Sequence, residues 1–503
     1  MNTELVIQEL LRKVDSLTAR LSAIENEKNA LFEENRILKE QVAEYDSLTT
    51  RLTKVENDNN RLVVENKSLK SRVSELESQI NQNSNNSSKP PSSDGYKKKP
   101  AIPRRQGGRP GGQKGHKGHT LHQVEHPDET IYCDPDTCSC GHVFNEDELS
   151  LSETRQVFDL PKPRLEVKEY QIYKATCPCC GAFHKGTAPQ GVKAPVQYGA
   201  GAKAFAVMLN THIKVPFKKI ELLYKDLFGY PINASTIYSA TRHYYKALEK
   251  SEEQIKAKVA DSLVVHADET GMRVDGSLHW LHTATTERYT YLFVHKNRGK
   301  KALCSDKSVL ERLGNWLVHD CWGSYFKFDN VGHSICGAHL VRELESLVEN
   351  QRSEWADMMQ DLLLTLNDQA HHERVRQRSK IIKKYQEICS LGIEQEPPPV
   401  KTPGKRGRWK RTKGRNLVER LIREEDAVLA FAFNKEVPFT NNLAERDIRP
   451  AKVKMKVSNC FRTFSGAEIY ARIEGFMSTA RKHERNVYSE LCDTFNGHNF
   501  LTE

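Results

Sequence analysis

LVVHADETG, residues 263–271, opens the part of the chain that decides the fold. It is an apolar run ending in acids, the pattern of a buried strand. HWLHTATTERYTYLFVH (279–295) follows and reads as a hairpin with Thr286–Arg288 near its turn. A helix-like stretch from Lys300 to Leu313 leads to another buried strand, WLVHD (316–320), and then to a short one, GHSICG (332–337). Three consecutive strands, a helix and further strands is the order of an RNase H-like α/β core.

In that order the first strand and the strand after the first helix are neighbours. Asp268 ends the one and Asp320 the other, so their carboxylates are expected to converge. Two hard carboxylates close together repel, and Mg²⁺, with Mn²⁺ as the alternative ion, relieves the repulsion through oxygen ligands. A pair of such ions can activate a water or a 3′-hydroxyl and stabilise the leaving oxygen in a displacement at phosphorus. A third acid is required. PFTNNLAERDIRP (438–450) begins a helix, and Glu445 is its strongest candidate. Asp447, two residues on, lies on a different helical face, whereas Arg449, four on, shares the face of Glu445 and could meet a phosphate. Glu269 is the weaker rival, because it points away from Asp268 across the strand.

Between the second and third acids, residues 345–395 read as helices ended by Pro397–Pro399. KTPGKRGRWKRTKGR (401–415) follows, with eight Lys/Arg and no acid. Placed beside the acids, it reads as a DNA-contacting loop through Lys405, Arg406, Arg408, Lys410, Arg411, Lys413 and Arg415, with Trp409 free to stack on a base or sugar. The plainer reading is a solvated tether.

Upstream, residues 216–248 carry a candidate helix–turn–helix. Pro216 opens a helix with Phe217, Ile220, Leu223, Tyr224 and Leu227 on its apolar face. Gly229 and Pro231 break it, and Ser235 can cap a second helix bearing Tyr238, Thr241 and Arg242. An ordinary helical hairpin on the core would look much the same. Before it, TCSCGHVF and TCPCCGAF flank β-type sequence like the two knuckles of a zinc ribbon. Cys138, Cys140, Cys177 and Cys180 are the expected Zn²⁺ ligands, with Cys133 an alternative because the first knuckle is one residue short.

The chain has 503 residues and a formal charge of +10. Lys89–His119 holds nine Lys/Arg against Asp94, a net of +8, and 401–415 adds another +8. The remainder is therefore 10 − 16 = −6, so the basicity is local, as on a phosphate-tracking surface. Six of the twelve cysteines cluster between Cys133 and Cys180, which suggests metal rather than disulfides and a cytoplasmic location. Nothing reads as membrane-spanning.

Residues 1–82 carry heptads. Leu10, Leu17, Ile24, Leu31 and Leu38 occupy d, the register steps near Tyr45, and Leu48, Val55, Leu62, Leu69 and Leu76 resume it. Asn59 and Asn66 at a favour a parallel homodimer through a leucine zipper-like coiled coil. The expected division is a coiled coil over 1–82, a disordered basic linker over 83–125 and a zinc ribbon-like domain over 126–190. A helical region follows over 191–258, then a catalytic core over 259–480 with a helical insertion at about 345–425, and a tail over 481–503.

NSSKPPSSDG, GGRPGGQKGHKG, the two Cys–Gly knuckles, HADETG, HDCWGSY, CGAH and NNLAERDIRP occur in one order across nearly the whole chain. In these the chain resembles the insertion sequence 66 family of bacterial DDE transposases. The resemblance implies Asp268, Asp320 and Glu445 as the catalytic triad, and element ends plus target DNA as partners. It also implies accessory proteins of the same element, and it matches Cys336 and His339 to a CxxH-type motif. Two departures stand out: the shortened first knuckle, and Gly337 where the family often has Trp. The alternative is a non-catalytic, dimeric DNA-binding regulator with a zinc ribbon, which would need no converging acids.

Overall fold

The heptad stretch forms one continuous helix, α1 (Thr3–Ile80). Its seam residues Leu10, Leu17, Ile24 and Leu31 are 54–62% exposed, an apolar row of the kind a second helix covers in a coiled coil. Residues 1–82 are expected to sediment as a dimer at micromolar concentration, and a purely monomeric boundary would remove the zipper reading. Replacing Asn59 and Asn66 by Leu should raise stability and loosen the choice of oligomer.

The computed structural model describes residues 3–80, 121–135, 137–189, 191–398 and 411–502. Most of the basic linker and the loop residues Lys405, Arg406, Arg408, Trp409 and Lys410 therefore lie outside the described residues. No helix among the described residues is long and apolar enough to cross a membrane.

The rest of the chain is a mixed α/β structure, described apart from α1. The knuckle region contributes a small antiparallel pair, β1 (Lys174–Thr176) and β2 (Phe183–Lys185). Four helices follow: α2 (Ala200–Thr211), α3 (Phe217–Phe228), α4 (Ala234–Ala247) and α5 (Glu249–Ala260). Gly229 ends α3 in the left-handed conformation, at φ 80°, that a residue with a side chain adopts reluctantly. Ile220, Tyr224, Ile232 and Ile237 close a small core between α3 and α4. Two details differ from expectation. Asn233, not Ser235, is the residue before the first turn of α4, and Thr241 is buried while Tyr238 and Arg242 stay outside. Leu227 is 39% exposed, so the apolar face of α3 is narrower than its sequence suggests.

The main sheet contains β3 (Val264–Val274), β4 (Ser277–Thr285), β5 (Thr290–His295), β6 (Trp316–His319) and β7 (Gly332–Ile335), in the order β5-β4-β3-β6-β7. The first three are antiparallel, and β6 and β7 run parallel to β3. Asp268 does not end its strand. Alternation continues through Thr270, Met272 and Val274, whose burial keeps β3 paired with β4 to its last residue. The parallel pairing with β6 stops at His266, however, so Asp268 lies just past that seam and Asp320 just past the end of β6.

The helix expected over Lys300–Leu313 is one turn, α6 (Lys300–Leu303), with a 3₁₀ turn at Leu310–Arg312. Ser305 donates to the Ala302 carbonyl and Ser308 accepts from the Leu310 N–H, so short polar side chains take the backbone partners a helix would use. Beyond β7 come α7 (Gly337–Gln351), α8 (Glu354–Asp368), α9 (His371–Arg376), α10 (Arg378–Gln395), α11 (Lys413–Arg423) and α12 (Glu425–Phe433). Trp355, Tyr385, Leu363 and Leu421 are wholly or almost wholly buried in their shared core, which reaches Val318 and Ile335 of the sheet. The chain closes with α13 (Asn442–Ser458), α14 (Phe464–Lys482) and α15 (Val487–Asn496).

Even-numbered β3 residues Met272 and Val274 pack under Ile448 and Ala451 of α13 and Tyr470 of α14. Odd-numbered Val265 and Ala267 belong to the core on the other face, with Ile255, Leu317 and Tyr325. Asp268 therefore shares its face with α13.

Candidate active site

The period of β3 sends neighbouring acids opposite ways. Glu269 turns into the second core, where it accepts hydrogen bonds from Arg298 Nε at 2.7 Å and from the Tyr325 hydroxyl. It is a structural acid. Asp447 is another. Its Oδ2 accepts from Lys482 Nζ at 2.6 Å, Thr290 at 3.0 Å and Thr285, so it ties α13 to the hairpin and α14.

Asp268, on the α13 face, makes no such ion pair among the described residues, although the charge of Lys452 on α13 acts on it. Withdrawal from water pushes its carboxyl up to about 7, with the charges of Glu269 and Asp320 adding to the rise and the Glu269 N–H opposing it. Asp320 accepts the Trp322 N–H at 2.9 Å, which fixes the turn after β6. Glu445 lies in the first turn of α13, where the helix dipole favours an acid. Its Oε1 is buried without a hydrogen-bond partner and stands 3.7 Å from His339 Nδ1. His339 is held below the usual histidine range by burial and by Arg342, against the pull of Glu445 and Asp320. Asp320 thus acts on both Asp268 and His339, and Glu445 joins it at His339. The three carboxylates do not themselves close into a set of ligand atoms within 4.8 Å. Among the described residues that spacing is met by Cys336, His339 and Glu445. Desolvated like charges keep apart until a cation is shared.

Asn441 positions these pieces, and its type and place in NNLAERD gave no sign of it. Its amide donates to the Ala267 carbonyl at 2.8 Å, and its carbonyl oxygen accepts from His266 Nδ1 at 2.9 Å. Its backbone N–H reaches Cys336 Sγ at 3.1 Å, and its backbone carbonyl accepts the Glu445 N–H. One buried residue therefore links the strand of Asp268, the start of α7 and the helix of Glu445. Asn441→Ala should cost about 1–3 kcal/mol, since His266 and Ala267 lose buried partners. A chemical denaturation midpoint equal to that of the wild type would dismiss the clamp. Beside it, a Cβ on Gly337 would stand 2.1 Å from the Phe439 ring, and the Gly337 N–H donates to the Phe439 carbonyl at 2.8 Å. Phe439 fills the volume that a side chain at 337 would need, which accounts for glycine at that position.

The two knuckles close similarly. The Cys138 N–H bonds to the His142 carbonyl and the Cys177 N–H to the Ala182 carbonyl, with Gly141 and Gly181 at φ 89° and 72°. The shorter first knuckle makes the same turn with one residue fewer. Backbone N–H groups, that of Cys140 for Cys138 and that of Cys180 for Cys177, lower both thiols below their ordinary range. Among the described residues no three of the four cysteines bring their sulfurs within 4.8 Å of one another.

Of the expected DNA-contacting residues, Arg411 and Arg415 have internal partners. Both pair with Glu419, at 2.9 and 2.8 Å, and Arg415 also donates to the Ile393 and Glu396 carbonyls. They anchor the foot of α11 rather than face outward. Lys413 and Arg449 are exposed.

Residues 195–469, 275 of the 503, match the family model described as Transposase IS66 family. The chain belongs to that family. The matched stretch runs from before α2 into α14 and includes Asp268, Asp320 and Glu445. Residues 135–181 match the zinc-finger binding domain of transposase IS66, a segment that contains Cys138, Cys140, Cys177 and Cys180 and leaves out Cys133. Residues 2–122 match a family of unknown function (DUF6444). No curated protein matches the chain. A transposase carrying a zinc-finger domain has DNA as its partner.

Proposed function

We infer that this IS66-family transposase cleaves and rejoins the ends of its element with Asp268, Asp320 and Glu445 as the catalytic acids. The observation that carries the reading is the parallel pairing of β3 with β6, which ends at His266 and Val318, so that Asp268 and Asp320 each stand two residues beyond the seam, while Glu445 lies in the first turn of α13, the helix packed on β3. The strand order β5-β4-β3-β6-β7 supports an RNase H-like core with α7–α12 inserted before the third acid. A hard, all-oxygen donor set with one raised carboxyl and one unpartnered buried oxygen fits Mg²⁺ or Mn²⁺. When bound to these acids, such ions would supply activation of a water or 3′-hydroxyl and charge neutralisation at the leaving oxygen.

The chain's own residues orient the strands. Asn441 holds the helix of Glu445 against β3, and exposed Arg449, one turn along α13, is available to a phosphate. Cys138, Cys140, Cys177 and Cys180 fit a structural Zn²⁺ in the finger, the knuckle turns already being formed. The seam of α1 supports parallel pairing of two chains. A regulator without catalysis would leave a desolvated carboxyl like that of Asp268 unexplained. Incubating the protein with Mg²⁺ and a duplex carrying the element's own ends should yield nicked and then joined strands. Intact duplex at every protein concentration would refute the reading.

The loop over 401–410 should hold phosphates rather than read bases. Neutralising Lys405, Arg406, Arg408 and Lys410, which excludes the internally paired Arg411, should weaken binding to all sequences alike. The salt dependence should become shallower by up to roughly 0.9 log unit per lost contact on duplex DNA. An unchanged salt slope in filter binding would mark the loop as a solvated tether.

A further inference from the structure

The CGAH stretch takes no part in the strand chemistry above. Cys336 follows β7 directly, and His339 lies three residues on in the first turn of α7, so the two side chains can share a face. Glu445 reaches the same place from α13. One ligand atom from each of the three lies within 4.8 Å of the others. His339 Nδ1 and Glu445 Oε1 are both buried and both without a hydrogen-bond partner. Such a facing pair is costly unless something bridges it.

The sulfur is prepared for charge. Cys336 is fully buried, and its Sγ accepts the Asn441 N–H at 3.1 Å. The His339 N–H, in the first turn of α7, donates to the Cys336 carbonyl at 3.1 Å, which holds the two residues in one turn. Burial, with the charge of Glu445, holds the free thiol above its ordinary range, so the sulfur is expected to become a thiolate only when a cation is bound beside it.

We propose that Cys336, His339 and Glu445 form a transition-metal site, for which Zn²⁺ is the best-fitting ion. A thiolate with an imidazole selects a borderline-soft ion over Mg²⁺ or Ca²⁺. Tetrahedral zinc takes donors at about 2.0–2.3 Å, hence roughly 3.5 Å from one another, a modest closure from the present spacing. Three protein donors leave one position open. The ion would fix the angle between α7 and α13 and share Glu445 with the acids of the proposed triad. It is separate from any zinc in the finger.

The test counts metal on the full chain. Zinc-loaded protein is desalted and its zinc measured by mass spectrometry for wild type, Cys336→Ser, His339→Ala and Glu445→Gln. Each variant should hold one equivalent fewer than wild type, whatever the finger retains. Co²⁺-loaded wild type should show a sulfur-to-cobalt absorption band in its difference spectrum against Cys336→Ser. If buried Cys336 tolerates no change, part-exposed Glu445→Gln and His339→Ala carry the test. Equal zinc in these two and in wild type would overturn the site. The count uses neither DNA nor cleavage, so a failed triad with a lost equivalent leaves the site standing. A working triad with equal zinc removes the site alone.

Discussion

Asp320→Asn is expected to lower Mg²⁺-dependent strand cleavage by on the order of 10³-fold or more, while DNA binding is kept or tightened. Asparagine retains the oxygen that accepts the Trp322 N–H, so the turn after β6 survives the change. What is lost is a charge beside Asp268 and His339, at the point where a cation would be shared. Binding moves the other way, because a negative group facing phosphate is removed. A nicking assay on an end-containing duplex, with filter binding at matched Mg²⁺, separates the two effects. Cleavage at the wild-type rate would strike Asp320 from the triad.

Glu474→Gln is expected to be the most damaging single change to stability. Glu474 and Lys214 are 2% and 5% exposed, 2.7 Å apart and 260 residues apart in sequence. Burial raises the Glu474 carboxyl, but His212 and Lys214 more than offset that and hold it below the ordinary range. The amide would leave the Lys214 charge buried with no counter-charge, at a cost of about 3–5 kcal/mol. The melting temperature of the unit containing α14 should fall by on the order of 10 °C. Lys214→Met combined with Glu474→Leu should recover much of the loss, since an apolar pair of similar volume needs no solvation. A single variant that melts with wild type would mean that water reaches Lys214. The pair matters for function because it bolts the segment between α2 and α3 to the helix lying on β5.

Much of the sheet was legible because strand burial repeats every two residues. The same period separates Asp268 from Glu269, and the contacts of Glu269 with Arg298 and Tyr325 agree with it. Periodicity could not find where β3 ends, because the partner that keeps it in the sheet is β4 and not its own composition. The Lys300–Leu313 helix failed on Ser305 and Ser308, whose hydroxyls compete for backbone groups. Arg411 and Arg415 look like neighbours of the basic loop in sequence, yet they answer Glu419 one or two turns along α11. Asn441 could not be read at all. Its partners Ala267 and Cys336 lie more than a hundred residues away, and nothing local marks an asparagine as a clamp.

Glu445 follows Asp320 by 125 positions, most of them spanned by α7–α12, and that separation has a consequence during protein synthesis. At roughly 5–20 residues per second, the ribosome finishes the two strand acids about 6–25 s before it reaches the helix acid. On the proposed assignment, a nascent or prematurely terminated chain carries the DNA-holding segments without the means to cut. A polypeptide still tethered to its message, in a cell where the chromosome is close by, would be harmless until its last helices emerge.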